Sequence, residues 1–248
     1  MEQTVIPKVI HFCWMSEDPF PEKIQFCIES WKKFLPDYEI KRWSYQNFPR
    51  GKSKWVDQAF DAKRYAFAAD YIRFYALYTE GGIYLDSDVE VLKSFNDMLG
   101  LDYFVCEEYI KDRIEAAVMG FRKGNRFCKM MLDYYSNRSF VSNEGRLDTK
   151  VLPSIFNELL LENSIQIRRV ERIEEVEHLM NSDKTFALLT NDYFSPKDTK
   201  TDEIKLTSNT HSIHHFANSW WKDHQRKYSL WERLINRLRI ILKIQQSQ

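Results

Sequence analysis

Residues 66–93 constrain the fold more than any other part of the chain. Residues 67–79 contain no Gly or Pro, and aromatic residues recur there at the three- and four-residue spacing of a helix face. The opposite face is also apolar, so the pattern predicts a helix that is buried nearly all round. Gly81 and Gly82 follow. We expect them to end the helix, one of them in the left-handed conformation that glycine adopts most easily.

Two charged residues, Asp70 and Arg73, lie within this predicted helix. A charge that enters a core must be paired or must bind something polar. The two residues are three positions apart and share a helix face, so they either pair with each other or point together into a cleft.

A short apolar run at residues 83–85 follows the glycines and ends in Asp86-Ser87-Asp88. Such a run is typical of a buried central strand, and ligands of open α/β sheets bind beyond the carboxyl ends of the strands. Residues two apart on an extended chain project to the same side, so the two carboxylates suit Mg²⁺ or Mn²⁺ shared with a substrate diphosphate. An Asp-x-Asp triplet alone is also common on solvated turns. The strand, the glycines and the charged helix before it favour the metal site.

Composition excludes several classes of protein. The 248 residues fit one sizeable domain that needs no disulfides to fold. The 36 basic and 36 acidic residues balance, which argues against a nucleic-acid-binding protein because such proteins carry a basic excess. The four cysteines form no Cys-x-x-Cys pair and indicate no zinc or redox motif. The amino-terminal residues lack a signal-peptide pattern and no stretch approaches the roughly 20 apolar residues of a membrane span, so we expect a cytoplasmic protein.

Strand and helix patterns alternate along the chain. Strands at residues 9–14 and 39–43 flank a helix at residues 22–34, an order that starts an α/β sheet. Residues 44–62 are polar, and we predict no regular structure there. Further strands are predicted at residues 89–92, 103–106, 116–121, 165–170 and 185–189, and further helices at residues 125–135 and 149–161.

The sequence AADYIRFYALYTEGGIYLDSDV resembles the signature of glycosyltransferase family 32, whose members include bacterial polysaccharide sugar transferases and yeast mannosyltransferases with a DXD motif. Shorter matches, in the family's order, are IPKVIHFCW, PDYEIKRW and HHFANSW. The same block is more distantly similar to the glucosyltransferase domains of the large clostridial toxins. The resemblance implies a GT-A-type (Rossmann-like) nucleotide-diphospho-sugar transferase fold, an α/β fold with a mixed central sheet flanked by helices. We expect it to occupy residues 1–221.

The resemblance also implies roles for individual residues. Trp14, at the exit of the first strand, matches a toxin-domain tryptophan that stacks on uracil; the alternative is an ordinary core tryptophan. Ser219 and Trp220 resemble residues that hydrogen-bond the diphosphate. A second tryptophan follows directly, so the alignment of these residues with the family motif can shift by one position. Asp70 is expected to accept hydrogen bonds from sugar hydroxyls, and Arg73 to bond sugar or phosphate oxygens.

A third metal ligand is expected near the carboxyl end of the domain. In related transferases a His-Phe pair supplies it, and His215-Phe216 matches that pair, with His214 as the alternative. Imidazole suits Mn²⁺ alongside carboxylates. Asp86 and Asp88 are therefore expected to act in catalysis and, with His215, to bind Mn²⁺ or Mg²⁺. A cluster of surface histidines is the competing interpretation.

Two more segments carry charges that invite a function. Glu107 and Glu108 stand at a predicted strand end, where they either contact the acceptor, act as a nucleophile or lie on a solvated turn. Residues 222–243 combine seven basic residues with apolar residues at helical spacing. We predict that residues 222–248 form a basic amphipathic helix within the same single-domain chain. It either contacts the inner membrane surface or packs on protein.

The predicted activity is that of a metal-dependent retaining hexosyltransferase. It would move galactose or glucose from a UDP-sugar to a glycan or lipid-linked oligosaccharide in bacterial capsule or other surface polysaccharide synthesis. One alternative is a haloacid-dehalogenase-like phosphatase, whose motif also ends a strand but requires Thr or Val where Glu90 stands. The other is a non-catalytic sugar-binding module.

Overall fold

Strands and helices alternate through the part of the chain that the computed structural model describes, residues 5–110, 113–180 and 182–217. The strands are β1 (Val9–Cys13), β2 (Glu39–Trp43), β3 (Gly82–Leu85), β4 (Val89–Val91), β5 (Tyr103–Glu107), β6 (Ile114–Phe121), β7 (Gln166–Val170), β8 (Thr185–Leu189) and β9 (Ser212–His214). The helices are α1 (Glu22–Phe34), α2 (Lys54–Asp61), α3 (Tyr65–Thr79), α4 (Arg126–Ser136), α5 (Leu152–Glu162) and α6 (Ile173–Leu179).

Seven of the strands form one sheet in the order β2-β1-β3-β6-β5-β8-β7. Neighbouring strands are parallel except at β6, which runs antiparallel to both β3 and β5. Helices α2 to α5 pack on one face of this sheet, and α1 and α6 pack on the other. The predicted α/β architecture, a mixed central sheet flanked by helices, is confirmed. The strands β4 and β9 pair with each other in a separate antiparallel sheet.

Helix α3 is buried nearly all round, as predicted, and two glycines end it. Gly81 and Gly82 both have positive φ angles, +73° and +111°, which a side chain would strain. A β-carbon on Gly82 would also lie 2.6 Å from the carbonyl oxygen of Val9 on the neighbouring strand. The double glycine therefore lets the chain turn from α3 directly into the central strand β3.

A buried histidine of β1 secures this turn. The indole N–H of Trp43 donates to Nδ1 of His11 over 3.1 Å, so the ring proton sits on Nε2. That Nε2 donates to the carbonyl of Gly81 over 2.8 Å. Burial lowers the pKa of His11, which keeps the ring neutral as both hydrogen bonds require.

The prediction for residues 44–62 was wrong, because α2 lies within them. Ser53 caps this helix by accepting a hydrogen bond from the backbone N–H of Val56, and Trp55, Val56 and Ala59 are buried. Helix α6 was not predicted either. The expectations for Ser219, Trp220 and residues 222–248 lie outside the described residues. Among those described, no helix has both the length and the apolar character of a membrane span.

Candidate metal centre

The two aspartates of the Asp-x-Asp motif follow the central strand directly. Strand β3 ends at Leu85, and the backbone N–H of Asp86 still donates to the carbonyl of Ala117 on β6 over 2.8 Å. The chain then turns, with the N–H of Val89 donating to the carbonyl of Asp86 over 3.0 Å. Asp88 therefore lies on a short, hydrogen-bonded turn beyond the carboxyl end of the sheet.

Helix α1 holds the strand that follows this turn. The indole N–H of Trp31 donates to the carbonyl of Val89 over 2.7 Å, and the hydroxyl of Ser30 accepts from the N–H of Val91 over 2.8 Å. Both bonds are buried, where net hydrogen-bond strength is greatest because water does not compete. The position of β4, and with it the position of Asp88, is fixed by the body of the fold.

Strand β9 brings a histidine to the aspartates. In the register of β9 with β4, His214 lies opposite Val89, and its Nε2 is 3.6 Å from Oδ1 of Asp88. Ligand atoms of Asp86, Asp88 and His214 all lie within 4.8 Å of one another. This is the group of three possible metal donors that the described residues form.

The neighbouring histidine points elsewhere. Nε2 of His215 bonds Oε2 of Glu90 over 2.8 Å, while its backbone N–H donates to the carbonyl of Asp88. Successive residues of an extended chain project to opposite sides, so only one of the two histidines can face the aspartates. The structure therefore moves the third candidate ligand from His215 to His214.

Arg73 of α3 lies behind the first aspartate. Its Nη2 is 3.2 Å from Oδ1 of Asp70 and 3.5 Å from Oδ1 of Asp86, and its Nη1 donates to the carbonyl of Ala116 over 2.7 Å. Its guanidinium also lies over the ring of Tyr84, 4.5 Å from the centroid. The helix and the strand end that the sequence pattern singled out thus meet in one ion cluster.

Tyr84 is the fourth member of this cluster. Its hydroxyl donates to Oδ1 of Asp86 over 2.9 Å, because residues two apart on an extended chain project to the same side. Oδ1 of Asp86 therefore receives both the tyrosine O–H and the guanidinium of Arg73. These contacts fix the direction of the carboxylate.

Burial sets the charge state of the cluster. Burial raises the pKa of Asp70 to about 6 although the positive charge of Arg73 opposes this. Burial likewise raises the pKa of Asp86, again against Arg73. For Arg73, burial alone would lower the pKa, but the neighbouring acidic groups, Tyr84 and Asp86 first, outweigh it and raise the pKa. The arginine therefore stays charged and supports two carboxylates.

A buried glutamate of β6, Glu115, contacts His214. Its Oε2 lies 3.1 Å from Nδ1 of His214, and its Oε1 accepts from the N–H of Ala117 over 2.9 Å. Burial alone would lower the pKa of His214, but Glu115 and then Asp88 raise it to about 9. The sequence reasoning missed Glu115 because it began this strand at Ala116. A charge next to the apolar run AAVMGF was the available signal.

Part of this site, including both aspartates, lies within a segment that matches a known family model. Residues 21–105 match the family model described as "Glycosyltransferase sugar-binding region containing DXD motif". We refer to these residues as the DXD-type region. The resemblance to the DXD sugar transferases, stated from the sequence, is confirmed.

Curated relatives extend the match over about half of the chain. Over 130 residues the chain is 33% identical to inositol phosphoceramide mannosyltransferase 3 of Schizosaccharomyces pombe, covering 51% of this chain and 36% of that protein. It is 28% identical over 114 residues to an uncharacterized glycosyltransferase of Acanthamoeba polyphaga mimivirus, covering 44% of this chain and 45% of that protein. The chain therefore spans less than half the length of either relative.

Two solved structures are also similar. One is PaToxG glycosyltransferase, with 22% identity, a TM-score of 0.48, and coverage of 64% of this chain and 70% of that one. The other is a glycosyltransferase involved in the glycosylation of the major capsid of PBCV-1, with 13% identity, a TM-score of 0.44, and coverage of 88% and 98%.

Trp14 lies next to the DXD-type region at the same edge of the sheet as the aspartates. Strands β1 and β3 are parallel neighbours with His11 opposite Tyr84, so Trp14 follows β1 where Asp86 follows β3. The indole is partly buried, lies edge-on to Phe20, and donates its N–H to a loop carbonyl. Its contact with a nucleotide base stays a prediction.

The two glutamates at the end of β5 do not lie on a solvated turn. Glu107 is buried and bonds Nε of Arg169 over 2.7 Å. Glu108 lies 3.1 Å from Nε of Arg113, and burial, aided by the nearby charge of Glu115, raises its pKa to about 7. Glu108 is therefore the second carboxylate near the DXD-type region that can exchange a proton near neutral pH.

Proposed function

We propose that this protein is a metal-dependent glycosyltransferase that moves a hexose from a nucleoside diphosphate sugar to a hydroxyl group of a glycan. The observation that carries the proposal is the convergence of Asp86, Asp88 and His214 beyond the central strand, with two of the three inside the matched DXD-type region. We expect a UDP-sugar as donor and retention of configuration, as the family resemblance implies.

The donor set fits the metals that this chemistry uses. Two carboxylates and one imidazole suit Mn²⁺, and the carboxylates alone suit Mg²⁺. Asp86, Asp88 and His214 would hold the ion. Before the ion binds, the buried guanidinium of Arg73 beside Asp86 balances carboxylate charge. Bound there, the ion would act as a Lewis acid that neutralises charge on the departing diphosphate.

The remaining residues of the cluster orient the carboxylate of Asp86 and are placed to contact the donor. Arg73 and Tyr84 both bond Oδ1 of Asp86, so they hold that carboxylate in place. Arg73 also bonds Asp70 and a backbone carbonyl. Its first role in this proposal is therefore to hold the aspartates, and its contact with donor oxygens remains a prediction. Asp70 is ionised above its pKa of about 6 and then acts only as an acceptor, which suits a sugar hydroxyl.

Donor hydrolysis tests the proposal. The purified protein is incubated with a panel of UDP- and GDP-sugars in Mn²⁺ or EDTA, and nucleotide release is measured. The panel includes mannose because one relative is named a mannosyltransferase. The variant with both Asp86→Asn and Asp88→Asn keeps the side-chain shapes and removes both charges. Asp37→Asn makes the same change at an exposed surface aspartate and serves as its control.

We expect slow, metal-dependent release from one donor by the wild type and by Asp37→Asn, and none by the double variant. Hydrolysis that persists in EDTA or in the double variant contradicts the proposed site. No release from any donor, together with no metal-dependent nucleotide binding in calorimetry, contradicts the enzyme and favours a non-catalytic sugar-binding module.

A further inference from the structure

Glu115 is a buried carboxylate that the proposed reaction does not use directly. It is 2% exposed and lies near the start of β6. Strand β6 runs antiparallel to β3, and the backbone bond from Asp86 to Ala117 continues their pairing past the end of β3. Glu115 therefore lies two residues before Ala117, the residue that bonds Asp86 at the start of the turn that carries Asp88.

The two oxygens of Glu115 have different partners. Oε1 accepts from the N–H of Ala117 over 2.9 Å, and Oε2 faces Nδ1 of His214 over 3.1 Å. Oε1 already accepts a backbone N–H, so Oε2 is the oxygen that pairs with the ring. A carboxylate oxygen accepts hydrogen bonds, so Nδ1 of His214 donates to Oε2 and carries a proton.

A proton on Nδ1 decides which nitrogen of His214 can bind a metal. A histidine binds a metal through an unprotonated ring nitrogen, and the other nitrogen usually donates to a carboxylate or carbonyl that orients the ring. With Nδ1 committed to Glu115, the remaining nitrogen is Nε2. That atom lies toward Asp88, at 3.6 Å from Oδ1.

We infer that Glu115 is a positioning residue that holds His214 in the tautomer and orientation needed to bind a divalent cation through Nε2. The inference rests on the proposed function, since it names the residue that prepares one ligand of that metal site. It makes Glu115, His214 and the two aspartates one unit of four side chains, of which three bind the ion and one directs a ligand.

Glu115→Gln reverses this arrangement without changing its shape. The N–H of Ala117 still requires an acceptor, so the amide oxygen takes the place of Oε1 and the amide NH₂ takes the place of Oε2. The NH₂ then donates to Nδ1 of His214, and the ring proton moves to Nε2, where it blocks metal binding.

The matched control is Glu90→Gln. Glu90 of β4 bonds His215, the residue after His214, over 2.8 Å. The same substitution there alters a second glutamate–histidine pair close to the first. Mn²⁺ affinity of the wild type, Glu115→Gln, Glu90→Gln and His214→Ala is measured by electron paramagnetic resonance of free Mn²⁺. Melting in EDTA confirms that each variant is folded at the assay temperature.

We expect Glu115→Gln to weaken Mn²⁺ binding by about 10- to 100-fold, the usual effect of losing a carboxylate that orients a ligating histidine. His214→Ala should weaken it at least as much, and Glu90→Gln should leave it within about twofold of the wild type. Nitrogen-15 spectra of the metal-free proteins, recorded at a pH where the ring of His214 is neutral, should show a proton on Nδ1 in the wild type and none there in Glu115→Gln. A merely structural role of Glu115 would not move that proton.

Three results would overturn the inference. Unchanged Mn²⁺ affinity in Glu115→Gln, with binding by the wild type intact, removes the role of Glu115 and leaves the proposed function standing. Equal losses in Glu115→Gln and Glu90→Gln show a general effect of acidic charge. Absence of Mn²⁺ binding by the wild type removes the metal site itself and, with it, both proposals.

Discussion

Asp70→Asn tests whether the buried ion cluster costs stability at neutral pH. The side chain of Asp70 is 12% exposed, and its Oδ1 lies 3.2 Å from Nη2 of Arg73. The same nitrogen also pairs with Asp86. Asparagine keeps the shape of the side chain and removes its charge. Because burial raises the pKa of Asp70 from 3.8 to about 6, the folded protein binds this proton about a hundredfold more tightly than the unfolded chain does.

The size and sign of the effect follow from proton linkage. Each tenfold change in proton affinity corresponds to about 1.4 kcal/mol, so Asp70 contributes about 3 kcal/mol that depends on pH. Its folded-state pKa is the higher one, so the unfolded chain binds fewer protons between the two pKa values. The stabilising contribution is therefore complete below pH 3.8 and is lost as the pH rises through about 6.

The assay is urea unfolding of the wild type and Asp70→Asn, followed by tryptophan fluorescence at several pH values from 4 to 7. Subtracting one free energy of unfolding from the other cancels the acidic groups that do not interact with Asp70. We expect the wild type to lose up to about 3 kcal/mol relative to the variant across this range. Asp37→Asn should show little change across this range, because the pKa of Asp37 is lowered from 3.8 by its bond to Lys8 and therefore lies below pH 4 in both states. A difference for Asp70→Asn that does not change with pH would refute the reasoning.

Three further outcomes are expected. Gly120→Ala should destabilise the fold by about 2 kcal/mol or more in urea unfolding, because its β-carbon would lie 2.2 Å from the ring of Phe104; unchanged stability would contradict this packing. His11→Leu should cost about 2 kcal/mol, since the buried carbonyl of Gly81 loses its donor, and an unaltered melting temperature would argue against that bond. At pH values below the His214 pKa of about 9, Mn²⁺ binding should release about one proton from His214. The affinity for Mn²⁺ should therefore rise by up to about tenfold for each pH unit above pH 7. Calorimetry in two buffers of different ionisation heat measures this release, and binding heats that are equal in the two buffers would contradict it.

Helices and strands that are determined by residues close to one another in the sequence were predictable. The helix predicted at residues 22–34 and the strands predicted at residues 39–43 and 185–189 match α1, β2 and β8 to the residue. Helix α2 was missed because polar residues surround its few apolar ones, although Ser53 offered a readable N-cap signal. Local patterns therefore describe most of the sheet and fail where the apolar stripe is short.

Which residues form the candidate metal centre depends on strand register, and local sequence patterns do not contain the register. Either His214 or His215 satisfies the motif, and the pairing of β9 with β4 decides which of them faces the aspartates. Glu115 depends in the same way on where β6 begins, two residues before the predicted start at Ala116. Asp70, Arg73, Asp86 and Asp88 were found because a charge in an apolar segment is visible without any long-range pairing.

The small sheet of β4 and β9 also determines when the proposed metal site can assemble during synthesis. A ribosome produces both aspartates long before it reaches His214, and the histidine joins them only once β9 has emerged and paired with β4. Until then the nascent chain carries two of the three donors and lacks the ring that Glu115 orients. The proposed site would therefore be complete only late in folding, and we expect an incompletely synthesised chain to hold Mn²⁺ more weakly than the folded protein does.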